Sequence, residues 1–263
     1  MISIKLLPHK KWYLFTILVF LLLIYYQSVL HVLFFDTNAN DLVQSNGESI
    51  KLKYLRGMLS LNNTLFEYNF FQSFLFPLLI IFIGKTYHCL KNRYCRYYLG
   101  RTQYYYLTIK KLKIILAILS VFIFTIILAF IITVSKGVGR FDLSGIEYYF
   151  NNNSILSFFG TNTIKYLIYY FLVKSCALLA ESFLIFYIID YLNYFTKSAL
   201  VYLLFMWGTA PILYGFLPFY LVPMSHLMIT SYGNINFWQL TVSYLPSISC
   251  LLFLTYKNRN EIL

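Results

Sequence analysis

Acidic residues are scarce in this chain: nine Asp and Glu stand against 21 Lys and Arg, and all charged types make up only 11% of 263 residues. A soluble domain carries about a quarter charged residues, so a water-facing surface of ordinary extent is excluded. Only one acid, Glu181, falls deep inside a hydrophobic run, so the facing carboxylate pair of an intramembrane aspartyl protease is excluded as well. Histidine is equally thin, and His9, His31, His88 and His226 include no pair at the helical spacing that holds a metal. The four cysteines form no disulfide framework, because Cys89 and Cys95 lie in a basic connection while Cys176 and Cys250 lie in apolar runs. Cys89 and Cys95 beside His88 lack the second ligand pair that a zinc site requires. "GKT" (Gly84 to Thr86) looks like the end of a phosphate-binding loop, but Leu79 stands where that loop needs its first glycine. No catalytic residue, cofactor or metal is therefore expected, and the chain does not read as an enzyme.

What is present is hydrocarbon. Apolar residues make up 60% of the chain and the mean hydropathy is +0.67, well above the roughly half-apolar composition of soluble domains. Six runs approach or exceed the ~20 residues needed to cross ~30 Å of bilayer core. They cover about 12–35, 70–87, 114–134, 166–191, 198–222 and 237–256. The first is too long for a signal-peptide core and no small-residue cleavage site follows it, so it is expected to stay as an anchor. The expected architecture is all-α: a polytopic integral membrane protein, one transmembrane domain over 1–263, with six spans.

Charge orients the set, because Lys and Arg concentrate on the cytoplasmic side. With the N-terminus inside, the inner segments hold 14 Lys and Arg against Asp190 and Glu261, a net +12. The outer segments hold six of each sign and are neutral. Both termini are thus expected in the cytoplasm. The Asn, Ile, Lys and Tyr-rich composition points to an AT-rich bacterial genome, and so to a bacterial cytoplasmic membrane.

A third of the positive charge sits in "KNRYCRYYLGRTQYYYLTIKKLK", residues 91–113, which holds seven Lys or Arg and no acid. Such a stretch has the chemistry to bind phosphates by counterion release and bases by stacking. A juxtamembrane connection, however, is the ordinary place for topogenic charge and for attraction to anionic lipid, which weighs against nucleic acid. Tyrosines settle at the membrane interface. The charge still exceeds what orientation requires.

Inside the spans, the fourth carries Lys174 and Glu181, seven residues apart and so on one helical face about 10 Å from each other. A charge at mid-membrane costs at least ~3 kcal/mol on insertion scales. Either the pair forms a polar face at a transport interface, or Lys174 snorkels outward while Glu181 is protonated or bonded to Ser or Tyr hydroxyls. The fifth span places Gly208, Pro211, Gly215 and Pro218 at steps of three to four, the pattern of a small-residue seam in a kinked helix. The first outer segment carries an amphipathic stretch around Ser49 to Leu59. The segment before span six, "PMSHLMITSYGNIN", is apolar for a loop and is expected to dip into the membrane.

This layout resembles the permease subunits of ATP-binding cassette exporters, in the ABC type 2 permease group. The likeness lies in six spans, a basic N-terminal stub (1–11), a long first outer segment, the basic connection ending in "YYYLTIKKLK", and the apolar segment before span six. The resemblance implies a second permease chain, identical or related, and a separate cytoplasmic ATPase. It implies that 88–113 is the coupling loop, with Arg93, Arg96, Arg101, Tyr104 and Lys110 facing the ATPase. A Gly100 break and a short helix around Thr102 to Leu107 would precede span three. Lys174 and Glu181 would then line the transport path of an amphipathic peptide, a bacteriocin-like toxin or a lipid-like compound. Two readings stand beside it: a stand-alone membrane immunity protein that binds a toxin, and an intramembrane enzyme dependent on Glu181.

Overall fold

The computed structural model describes residues 8, 10–37, 47–93, 95, 102–143, 150–228 and 233–260. The N-terminal stub, Arg96, Gly100 and Arg101 lie outside these, save Pro8, Lys10 and Lys11. Among the described residues the fold is all-α, with no strand and one isolated bridge between Phe150 and Ile235. Five helical segments are long and apolar enough to cross a membrane: Leu61–Arg93, Tyr104–Gly137, Thr163–Leu192, Phe195–Phe216 and Phe237–Lys257.

Helix α1 covers Lys10–Leu33 and is apolar over Lys11–Tyr26. It lies on α3 (Leu61–Arg93), with Trp12 stacked on Phe82 at 6.2 Å and the Tyr13 hydroxyl paired with that of Thr86. Between them in the chain, α2 (Gly47–Met58) is the amphipathic helix expected around Ser49 to Leu59, with no buried residue. α3 starts where Ser60 accepts from the Asn63 N–H at 3.4 Å and the Leu61 N–H reaches the Arg140 carbonyl at 2.9 Å. At 33 residues, or about 50 Å, α3 overruns the apolar stretch 70–87 at both ends, because nothing but Pro77 interrupts its helical backbone.

Helix α4 runs unbroken over Thr102–Gly137, 36 residues. The segment 102–107 therefore continues into the third span instead of forming a separate short helix. After the single turn α5 (Ser157–Gly160) comes α6, Thr163–Leu192. Asn162 caps its start, accepting from the Ile164 N–H at 2.8 Å. Asn193 ends it in the left-handed region (φ 56°), a conformation Asn tolerates better than most side chains.

α6 is the centre of the bundle and packs on α3, α4, α7 and α11. Its approach to α3 is close: a Cβ added at Gly84 would lie 2.9 Å from Ile185 Cγ1. That contact, not phosphate binding, accounts for the glycine of "GKT". Where α3, α4 and α6 meet, Phe124 is ringed by Tyr68, Phe76, Tyr170 and Phe171 at centroid distances of 5.9–6.3 Å.

The fifth apolar run is broken. α7 (Phe195–Leu203) passes into a π turn, Leu204–Gly208, and then α8, Ala210–Phe216. Pro211 has no N–H and its ring would strike the carbonyl of residue 207 in a regular helix, so the wider turn relieves both problems. The helix ends at Phe216, short of residue 222, because Leu217 precedes Pro218 and takes extended backbone. The small-residue seam is not used within the chain: Gly215 faces open space and Gly208 meets only Leu204 of its own turn. A 3-10 turn (Phe219–Leu221) and the short helix α9 (Ser225–Met228) follow. α10 (Phe237–Val242), opened by an Asn236–Gln239 capping box, and α11 (Leu245–Asn260) form the last segment.

Candidate functional site

The segment between the last two apolar runs enters the bundle instead of crossing its surface. Val222, Ser225, His226 and Leu227 have no exposed surface, and α9 packs on both α3 and α6. Ile235, further along the same segment, bridges Phe150, which places the segment at the end of the bundle where α6 begins. α9 nevertheless touches Lys174 and Glu181, about 16 and 27 Å along α6 from Thr163, so it reaches mid-helix depth. A backbone carbonyl at such depth needs a donor, and Lys174 supplies one.

Lys174 and Glu181, the pair that the sequence placed on one face, both turn to this plug. Lys174 Nζ donates to the Leu227 carbonyl and lies 5.6 Å from the Tyr170 ring centre. Glu181 Oε1 accepts from Ser247 Oγ at 2.8 Å and sits 2.9 Å from His226 Nε2. The His226 approach falls outside linear hydrogen-bond geometry. All three ionisable residues are fully buried. Ser247 lies in the first turn of α11, so the carboxylate also meets the positive end of that helix. Tyr202 of α7 and Cys250 of α11 face the same carboxylate. The His226 ring lies tilted against Tyr244, their centres 5.3 Å apart, and the Tyr244 hydroxyl donates to the Val173 carbonyl at 2.9 Å. One acid thus gathers α7, the plug and α11 around α6.

The histidines showed no paired spacing along the chain, and the inward fold of the plug brings His226 to Glu181. The readable signal was the apolarity of the stretch around "SHLM", which marks a segment that avoids water. The cluster does not have the order of a catalytic triad: the carboxylate stands between the hydroxyl and the imidazole, whereas a triad has the imidazole between the other two. No group of three or more His, Cys, Asp and Glu with metal-site geometry occurs among the described residues. What the arrangement can do is hold a segment in place and present two opposite charges when that segment leaves.

A second charge site lies at the basic end. Asp190 of α6 binds Lys91 Nζ of α3 through Oδ1 at 2.7 Å and Lys113 Nζ of α4 through Oδ2 at 2.6 Å. Tyr87 donates to Oδ1 at 2.8 Å, and Lys113 lies 3.7 Å from the Tyr187 ring centre. Two of the seven cations of 91–113 are therefore internal struts. Arg93, Tyr104, Lys110 and Lys111 are exposed beside them.

An apolar cleft of about 540 Å³ opens between α8 and α11, lined by Leu213, Leu217, Leu221, Pro223, Cys250 and Phe253 among others. Its wall includes the flank of the plug. Together these features define a class: a helical protein of membrane-length segments with a plugged interior. Compared with protein-family models, curated proteins and solved structures, the chain matches none.

Proposed function

We propose that this chain is the permease subunit of an ATP-binding cassette exporter, with six membrane spans and both termini in the cytoplasm of a bacterium. It would work with a second permease chain and a separate ATPase. One observation carries the reading: α3 and α4 overrun the hydrocarbon thickness and end in a braced basic platform. At 1.5 Å per residue these helices are about 50 and 54 Å long against ~30 Å of bilayer core. Asp190 fixes their basic ends to each other and to α6. The exposed Arg93, Tyr104, Lys110 and Lys111 then form a rigid surface that a soluble partner can push. Free topogenic lysines need no such brace, and lipid contact needs no rigidity.

The platform also gives force a route. Span four carries Asp190 at the basic end and holds the plug at mid-helix, so a displacement of the platform reaches the plug through one rigid element.

The test is co-expression with the ATPase encoded beside the gene, followed by co-purification and hydrolysis measurement. The double variant Arg93→Glu, Lys110→Glu is expected to weaken ATPase association about tenfold or more while leaving membrane insertion unchanged. An ATPase that never co-purifies, or association indifferent to both reversals, overturns the reading.

A further inference from the structure

The two mid-helix ionisable groups of α6, Lys174 and Glu181, both meet the plug, and neither has an ion-pair partner elsewhere among the described residues. Lys174 bonds the Leu227 carbonyl, and Glu181 faces His226. The remaining groups around Glu181 are neutral polar ones, Ser247 and Tyr202, with Cys250 close by; those around Lys174 are aromatic, Tyr170 foremost. A buried charge stripped of its partner is strongly disfavoured. The plug therefore leaves only when another molecule offers the same two groups: an acceptor for Lys174 and a cation or strong donor for Glu181, about 10 Å apart along the helix.

We propose that residues 219–228 occupy the binding site of the exported molecule, and that this molecule is an amphipathic peptide whose acceptor and cationic side chain replace the Leu227 carbonyl and His226. The inference rests on the permease reading for the peptide's being cargo. A peptide fits on three counts. Its carbonyls or terminal carboxylate match Lys174, as the Leu227 carbonyl already does. Its Lys or Arg matches Glu181. Its apolar face matches the cleft of about 540 Å³ that runs along the plug between α8 and α11. An anionic lipid supplies the acceptor and the apolar chain but leaves Glu181 facing a vacated imidazole position.

The experiment uses the full chain in lipid nanodiscs without any ATPase, so its outcome is independent of whether an ATPase partner exists. Leu227→Cys, in a chain whose native cysteines are replaced by alanine, reports plug opening by its rate of maleimide labelling; the carbonyl that Lys174 uses is retained. The probes are one synthetic amphipathic peptide carrying a lysine and a free terminal carboxylate, two singly altered forms with the lysine made norleucine or the carboxylate amidated, the doubly altered neutral twin, and vesicles of phosphatidylglycerol. The charged peptide is expected to speed labelling and to bind about tenfold tighter than its neutral twin. With Glu181→Gln the preference for the lysine should vanish while the preference for the carboxylate stays, and Lys174→Met should do the reverse. Equal binding of the charged peptide and its neutral twin to the unmodified chain, or equal plug opening by phosphatidylglycerol, overturns the proposal. A peptide that binds while both variants keep both preferences overturns it too, because the charges would then be recognised elsewhere.

Discussion

Asp190 and Glu181 sit nine residues apart on the same helix and are satisfied in opposite ways. Nine residues at 100° each turn the helix through two and a half revolutions, so the two acids face opposite sides. Asp190 meets two lysines and a tyrosine from α3 and α4 and keeps some water, its side chain being 17% exposed. Glu181 has none, and its contacts come from a segment of four residues, a serine and a tyrosine. The first site is an over-determined strut between long helices. The second meets a short element that also packs on α3 and α6 and bonds Lys174. The surroundings follow the same division: the best membrane windows of α3 and α6 are 61% buried within the chain, whereas those of the fifth and sixth spans are 17% and 22%. One side of α6 is a closed core, and the other is a buried plug flanked by helices that bury little of their own surface.

The comparison breaks most visibly at Glu181. Glu181→Ala leaves His226 in the dry interior without its carboxylate and frees Ser247, so the loss is expected to be about 3–5 kcal/mol. Thermal unfolding in detergent measures it. Because the plug is the element released, a cysteine at 227 should label faster than a cysteine in the α3–α6 core at the same temperature. Uniform loosening of both positions would mean that the plug is not an independent unit.

Asp190→Asn comes next. It leaves Lys91 and Lys113 close together without their counter-charge, but water reaches the site and the aromatic rings of Tyr87 and Tyr187 remain beside Lys113. The expected cost is about 1–2 kcal/mol, discounted from the buried-pair range for that exposure. Removing one like charge should recover part of it, so Asp190→Asn with Lys91→Met is expected to unfold at a higher temperature than Asp190→Asn alone. A double variant no more stable than the single one would show that Asp190 is not a bridge between the two cations.

The all-α architecture and the approximate position of each apolar run were readable because hydrocarbon length and charge asymmetry act locally along the chain. The face shared by Lys174 and Glu181 was readable for the same reason, as helical spacing alone defines it. The partners of that face were not. His226 lies 45 positions beyond Glu181 and reaches it only because the segment folds inward, a tertiary event with no periodic signature. The ends of α3 and α4 were hidden too, since hydropathy marks where apolar residues stop and says nothing about where helical hydrogen bonding stops. Arg96 and Arg101 fall outside the described residues, while Arg93, Tyr104 and Lys110 stand exposed at the basic end. Asp190 looked like one acid among many cations, yet its position at the end of α6 makes it the hub of two of them.

The smallest effect sharpens the contrast at the seam between the two halves. Pro77 lacks the N–H that would bond the Ser73 carbonyl in α3, and the freed oxygen accepts instead from Trp207 Nε1 at 3.1 Å. Trp207 belongs to the π turn that Pro211 imposes on the fifth span, so two prolines on different helices are reconciled by one indole. Trp207→Phe keeps most of the ring volume and removes only the donor, at an expected cost of about 1 kcal/mol. If the indole ties the loosely covered fifth span to the closed core, amide exchange should rise across 204–216 and stay unchanged in α3 away from Ser73. If exchange rises equally in both helices, the core and the plugged side are one cooperative unit, and the division drawn from Asp190 and Glu181 fails.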